Sequence, residues 1–231
     1  MEAIVNERRI ARGARLGKIA TAVGLAFLAG GLDVSLVLKE SSFLWLSFGF
    51  LLVGILVSSI GTMNMNRWVR EPRADQALAQ ALKGFDDRYR LYSHILPAPH
   101  VLLSPIGLFV LTAMGQDGAI RLEGGKFHRG MSVGRLLRFM ADEGLGKPLA
   151  EADNEVEALQ EYLELHNVDG DMEIQNVLVF YNPGVQLDVS DPPRPVVIPK
   201  GLKRVIRKRP TNDLSTTRQR ELRELFEAES G

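Results

Sequence analysis

The chain has 231 residues, of which 45% are hydrophobic, and its 28 basic and 28 acidic residues give a formal net charge of zero. That length holds one domain of ordinary size plus an appendage, and the charge balance excludes a global pull on nucleic acid, leaving only local patches. The absence of cysteine excludes disulfides, thiol nucleophiles and cysteine-bound zinc.

Between Lys18 and Arg67 the only charged residues are Asp33, Lys39 and Glu40. This leaves two apolar stretches, 19–38 and 43–63, each long enough to cross a hydrocarbon core of about 30 Å. Four residues, Lys39-Glu40-Ser41-Ser42, join them, so a tight helical hairpin is expected. Arg8, Arg9, Arg12, Arg15 and Lys18 precede the first stretch, and Arg67, Arg70 and Arg73 follow the second. The positive-inside rule then predicts a multi-pass protein of the cell membrane with both termini in the cytoplasm. The spans are too long, and follow one another too closely, for a cleaved signal peptide. Ala22, Ala26 and Gly30 repeat every four residues, as do Gly54, Ser58 and Thr62. Such rows of small residues let helices approach closely, within the hairpin or between protomers. Trp45 and Trp68 flank the second span as interface anchors would.

Beyond the hairpin, Glu71-Pro72-Arg73-Ala74 opens a short helix with Pro in its first turn, and Gly84 closes it. Residues 86–95 alternate as a strand with Tyr89, Leu91, Ser93 and Ile95 on one side. Two apolar runs follow, His100–Leu103 and Leu108–Met114, separated by Ser104-Pro105-Ile106-Gly107 and closed by Gly115-Gln116-Asp117-Gly118. Runs this short, bounded by Pro and Gly, read as buried strands joined by tight turns. Short strands are expected at 119–122 and 126–129, then helices at 132–141 and 149–166, the second with Ala152, Val156, Leu159 and Leu163 on its apolar face. Gln175–Tyr181 reads as a central strand, the proline-rich 182–194 as irregular, and 195–198 as a shorter strand. A basic helical segment over 200–209, a linker over 210–212 and a charged helix over 214–229 complete the chain.

The stretch from Ala98 to Gly118 resembles the nuclease-related domain (NERD), a branch of the PD-(D/E)xK nuclease superfamily. In that family a strand carries Asp-His and aliphatic residues, a Pro-x-Gly turn follows, and the next strand carries Phe-Val-Ile-Glu-x-Lys with a Gly four positions on. His100, Val101, Pro105, Gly107, Phe109, Val110 and Gly118 fit, and the likeness extends more loosely from Arg73 to Arg209. It implies an α/β fold, a PD-(D/E)xK-like mixed sheet flanked by helices, here preceded by the transmembrane hairpin. The expected domains are a basic cytoplasmic N-terminus (1–18), two membrane helices (19–66), a NERD-like cytoplasmic domain (71–209) and a charged C-terminal helix (210–231).

Members of that superfamily bind Mg²⁺ through carboxylates on neighbouring strands, with the lysine two residues along orienting or activating water. Laid onto this chain, the motif's Asp, Glu and Lys become Pro99, Thr112 and Met114. None has the chemistry required, because a Mg²⁺ site without a carboxylate has nothing to offset dehydration of the ion. Asp75, His100 and Asp117 are the substitutes available to a relocated site. Each also has a plain structural reading: a first-turn acid on a helix, a packed histidine and a turn former. No catalytic residue, metal ligand or cofactor is therefore expected, with Mg²⁺ entering only if the site has moved. The serines lack a Gly-x-Ser-x-Gly context, there is no Walker loop, and His94, His100, His128 and His166 lack zinc spacing.

One charged feature remains. Lys200, Lys203, Arg204, Arg207, Lys208 and Arg209 crowd into ten residues. Such a run suits nucleic acid phosphates, or the anionic headgroups of the bilayer to which the anchor ties it, and it is equally a solvated helix face. Expected partners are thus the lipid bilayer, nucleic acid or anionic lipid through 200–209, and a second copy or another protein through the hairpin or the C-terminal helix. The leading expectation is a membrane-anchored binding or scaffold module that has lost nuclease chemistry. The alternatives are a divergent tethered nuclease and a purely structural membrane protein.

Overall fold

The computed structural model describes residues 1–37, 44–130, 144–168, 172–208 and 214–229. The helix expected at 132–141, the hairpin turn at 39–42, Arg209 and the linker at 210–212 lie outside the described residues. Among those described, one compact unit is formed by 1–6, 74–130 and 144–229, and the other by 7–73.

The second unit is a pair of helices, α1 (Glu7–Val37) and α2 (Leu44–Trp68), both long and apolar enough to cross a membrane. The first starts well before residue 19, because its arginine-rich opening is also helical. Its side chains are arranged inside out. Apart from Ile10 in the first turn of α1, the buried residues are small, with Gly13, Gly17, Gly24 and Gly31 on α1 and Ser47, Gly54 and Gly61 on α2. Large apolar residues such as Leu25, Leu32, Phe48, Leu52 and Leu56 point outward. A Cβ on Gly24 would stand 2.5 Å from the Ser58 backbone nitrogen, and one on Gly61 2.5 Å from that of Thr21. Contact this close is what only glycine allows. The seam is therefore not the predicted row on α1, where Ala22 and Ala26 face outward. A regular spacing of small residues fixes which helical face is narrow, and several faces of α1 are narrow.

The first unit is built on a mixed six-stranded sheet flanked by helices. Its strands are β1 (Glu2–Val5), β2 (Arg90–Ser93), β3 (His100–Ser104), β4 (Gly107–Met114), β7 (Ile174–Phe180) and β9 (Val196–Val197), in that spatial order. β2, β3 and β4 run antiparallel to their neighbours among themselves, whereas β1 is parallel to β2, β7 to β4 and β9 to β7. A three-stranded sheet of β5 (Gly118–Glu123), β6 (Lys126–Arg129) and β8 (Val185–Asp188) adjoins in the chain, β8 lying inside the stretch expected to be irregular. The N-terminal residues, expected to be a charged extension, instead supply β1. They pair with residues nearly ninety positions away, a contact that leaves no local mark in the sequence.

Helices cover both faces of the large sheet. On one side Val101, Leu103, Leu108 and Val110 pack with Leu159 and Leu163 of α4 (Pro148–Leu165) and with Leu222 and Phe226 of α6 (Thr216–Ala228). On the other, Leu91, Leu102, Phe109, Leu111 and Val177 pack with Leu78 and Leu82 of α3 (Ala74–Leu82) and with Leu202 and Ile206 of α5 (Pro199–Lys208). Burial on both faces explains why β2 does not show a polar side: Leu91, Tyr92 and Ser93 are all inaccessible. The strand is also shorter than 86–95, since His94 turns the chain with a φ of 62°. At the other end of the unit α3 begins at Ala74, two residues after Pro72, so the proline precedes the helix and does not form its first turn.

Candidate functional site

The hairpin of β3 and β4 is closed by a tight turn in which Gly107 takes a φ of 130° and the Ser104 hydroxyl donates to the Gly107 carbonyl at 2.7 Å. The register pairs Leu103 with Leu108 and Val101 with Val110. Continuing it by two residues sets Pro99 opposite Thr112, and Met114 follows Thr112 on the same face. The three positions that the resemblance assigns to Asp, Glu and Lys are thus brought together, on the side of the sheet that α4 covers.

What stands there is not a metal site. Thr112 is fully buried, and its hydroxyl is used twice. It accepts from Asn176 Nδ2 at 2.8 Å and donates to Glu155 Oε2 at 2.6 Å. The Asn176 amide also donates to the Val110 carbonyl at 3.2 Å, which fixes its orientation, since a carbonyl can only accept. Met114 is 3% exposed and packs with Ile120, Ala152, Leu178 and Phe180. A lysine there would have to be placed among these apolar side chains. Pro99 offers no ligand atom, so Mg²⁺ does not fit these positions. Among the described residues no three His, Asp or Glu side chains converge as a metal would require.

Glu155 reaches this point from α4 and also lines a cavity of about 550 Å³, together with Pro97, Pro99, Lys147, Glu151 and Asn154. One wall is therefore the proline pair preceding β3, and the other is the charged edge of the helix. The cavity is a shallow, mostly apolar depression rimmed by Lys147, Glu151 and Glu155, with Glu155 oriented by its bond from Thr112.

The proposed substitutes do not join it. Asp75 lies buried in the first turn of α3, which packs on the opposite face of the sheet from Thr112. His100 is also buried, its Nδ1 3.1 Å from the Ser93 hydroxyl and its ring edge-on to His94 at 4.8 Å between centroids. Asp117 forms an ion pair with Arg129, whose Nε also donates to the Asp117 carbonyl at 2.7 Å, fastening the turn after β4 to the end of β6. These are three separate places.

The basic segment forms α5 almost entirely. Leu202 and Ile206 are buried, while Lys200, Arg204, Arg207 and Lys208 are exposed. Lys203 donates to the Lys83 carbonyl, and the Arg207 guanidinium lies 5.2 Å from the Phe85 ring centroid. Arg207 and Lys208 occupy the last turn, where cations complement the helix dipole. The exposed edge of α5 is a row of cations that can meet phosphate groups.

Sequence reasoning missed Glu155 and Asn176. A signal existed for the first, since Glu155 falls three residues after Ala152 and four before Leu159, inside the apolar stripe of α4. For Asn176 the signal is a polar residue, next to Gln175, in a strand otherwise made of Ile, Val, Leu and Phe. Comparison with protein-family models, with curated proteins and with solved structures finds no match to this chain.

Proposed function

We propose that this chain is a membrane-anchored, cytoplasmic NERD-like module that has lost nuclease chemistry and works by binding. The observation that carries the reading is the fate of the motif positions: Thr112 is saturated by Asn176 and Glu155, and Met114 is sealed in an apolar cluster. The succession of α3, the antiparallel β2–β4, α4 and the parallel β7 is consistent with the superfamily core that the resemblance implies.

Anchoring is supported by the inside-out hairpin, whose apolar surface suits lipid and whose narrow seam suits close helix packing. A common side for the two ends of the hairpin is supported by connectivity. The strand before it and the helix after it, β1 and α3, belong to one folded unit, which favours an even number of crossings. The cationic edge of α5 then serves anionic headgroups, which attract juxtamembrane basic residues by about 1 kcal/mol each.

The test is a cleavage assay on the full chain in nanodiscs with single- and double-stranded DNA and RNA, in Mg²⁺ and Mn²⁺. Absence of cleavage is the expected result. A relocated nuclease site is the second reading, favoured by one observation, the delivery of the Glu155 carboxylate to the Thr112 position at 2.6 Å. Metal-dependent cleavage lost in Glu155→Gln would establish it and overturn the first.

A further inference from the structure

The charges of the chain balance overall but are not evenly spread. Residues 7–18 and 67–73 hold eight cations against two carboxylates, Glu7 and Glu71, and seven of the eight are arginine. The two segments lie at one end of the helical hairpin: a Cβ on Gly13 of α1 would meet the Trp68 ring of α2 at 2.6 Å. Lysine and arginine serve equally well to orient a membrane helix. Arginine also offers a planar fork of donors that fits two phosphate oxygens at once, which an ammonium cannot. The bias toward arginine therefore points past orientation to phosphate.

The arginines of α1 are also ordered. Arg8, Arg12 and Arg15 recur at intervals of four and three, so they share one face of the helix, turned away from the buried Gly13, Gly17 and Gly24. All three are exposed, and among the described residues none forms an ion pair with a carboxylate. On the same face the next turns present Ile19, Ala22 and Ala26, exposed as well. Along the axis Arg15 stands about 6 Å from Ile19, where the apolar stretch begins, and Arg12 about 10 Å. The headgroup layer of one leaflet is about 5–8 Å deep. The long arginine stem lets both guanidinium groups reach into it. One face of α1 thus passes from cationic to apolar over the same distance as a phospholipid passes from headgroup to chain.

We propose that this face of α1 holds an anionic phospholipid, its phosphate chelated by Arg12 and Arg15 and one acyl chain lying along Ile19, Ala22 and Ala26. Charge complementarity selects the occupant. A zwitterionic lipid offers the same phosphate but brings a cation of its own, which the arginine stripe repels. The inference rests on the membrane anchoring proposed above. It is separate from the edge of α5, whose cations belong to the other unit.

The test is native mass spectrometry of the full chain in nonionic detergent, titrated with phosphatidylglycerol or with phosphatidylcholine of the same acyl chains. One phosphatidylglycerol per chain is expected to survive collisional activation that strips phosphatidylcholine. Arg12→Lys with Arg15→Lys keeps the charge and loses the fork, and should lower that retained fraction roughly fivefold. Arg12→Gln with Arg15→Gln should abolish retention. Lys200→Gln with Lys208→Gln removes two charges from α5 and should leave it unchanged. Equal retention of the two lipids, full retention in the lysine variant, or an equal loss in the α5 variant would each overturn the proposal. Those outcomes, in a chain that still needs detergent for extraction, overturn this inference alone. A chain released from membranes by alkaline carbonate without detergent would overturn the anchoring as well.

Discussion

Thr112 donates its hydroxyl hydrogen to Glu155 across 2.6 Å, tying the centre of β4 to the helix that covers it. Since the same hydroxyl accepts from Asn176, removing it strands a carboxylate and an amide together. Thr112→Val, nearly identical in volume, is expected to destabilise the domain by about 1–3 kcal/mol, the cost of an unpaired buried polar group. Glu155→Gln keeps an acceptor and should cost less. Thermal unfolding of the full chain in detergent measures both, and the double variant should fall short of additivity.

Restoring the motif lysine gives a harsher outcome. In Met114→Lys the side chain enters the cluster of Ile120, Ala152, Leu178 and Phe180. Loss of about 3–5 kcal/mol is expected, the penalty of an uncompensated buried charge. A variant that unfolds at the unchanged temperature would show that the cluster is looser than described.

The helical hairpin makes a sharp comparison between glycines. Gly24→Val or Gly61→Val should force the two helices apart, since even a Cβ would meet backbone atoms of Ser58 or Thr21 at 2.5 Å. Gly49→Ala is the control, because nothing lies within 4 Å of the added carbon. Cysteine pairs introduced across the seam, one on each helix, should crosslink in the parent and in Gly49→Ala, and much more slowly in the valine variants.

Alkaline stability follows from two tyrosines. Burial pushes the Tyr92 and Tyr162 hydroxyls up to about 12, with Glu227 near the first and Glu229 near the second adding to the effect. The folded state holds these protons more tightly than the unfolded chain, whose tyrosines ionise near 10. Stability is therefore complete below pH 10 and falls as pH rises from about 10 to 12. Phenolate absorbance should show these two tyrosines ionising well above pH 10 in the folded chain. Tyr92→Phe should flatten the loss.

For the basic edge of α5, lysine acylation provides the measure. Lys200 and Lys208 should react several-fold more slowly in nanodiscs containing anionic lipid than in zwitterionic ones, and the difference should shrink at high salt. Equal rates in both would remove lipid headgroups as its ligand.

Much of this is legible in the sequence. The turn glycine at 107 and the flanking apolar runs fix the β3–β4 register, and from that register alone Pro99, Thr112 and Met114 converge. Hydropathy likewise locates α1 and α2, yet it gives no rotation, so it does not show that Gly24, and not Ala22 or Ala26, meets α2. Glu155 was hidden among the many acids of α4, where only its phase against Ala152 and Leu159 sets it apart. Nothing local marks Glu2–Val5 as a strand, because its partner lies on the far side of the hairpin in the chain.

That strand has a consequence for how the molecule is made. β1 leaves the ribosome first, and its partner β2 only after α1 and α2 have been synthesised. The sheet's edge therefore stays incomplete throughout insertion of the proposed hairpin. Arg90 of β2 records the closure: it meets Glu2 of β1 at 2.8 Å and also pairs with Glu227 of α6, so one guanidinium joins the strand that precedes the two long helices to a helix far along the chain. A chain whose hairpin inserted with its ends on opposite sides could never make that contact. Closure of the sheet by Glu2–Val5 therefore depends on residues drawn from widely separated parts of the sequence.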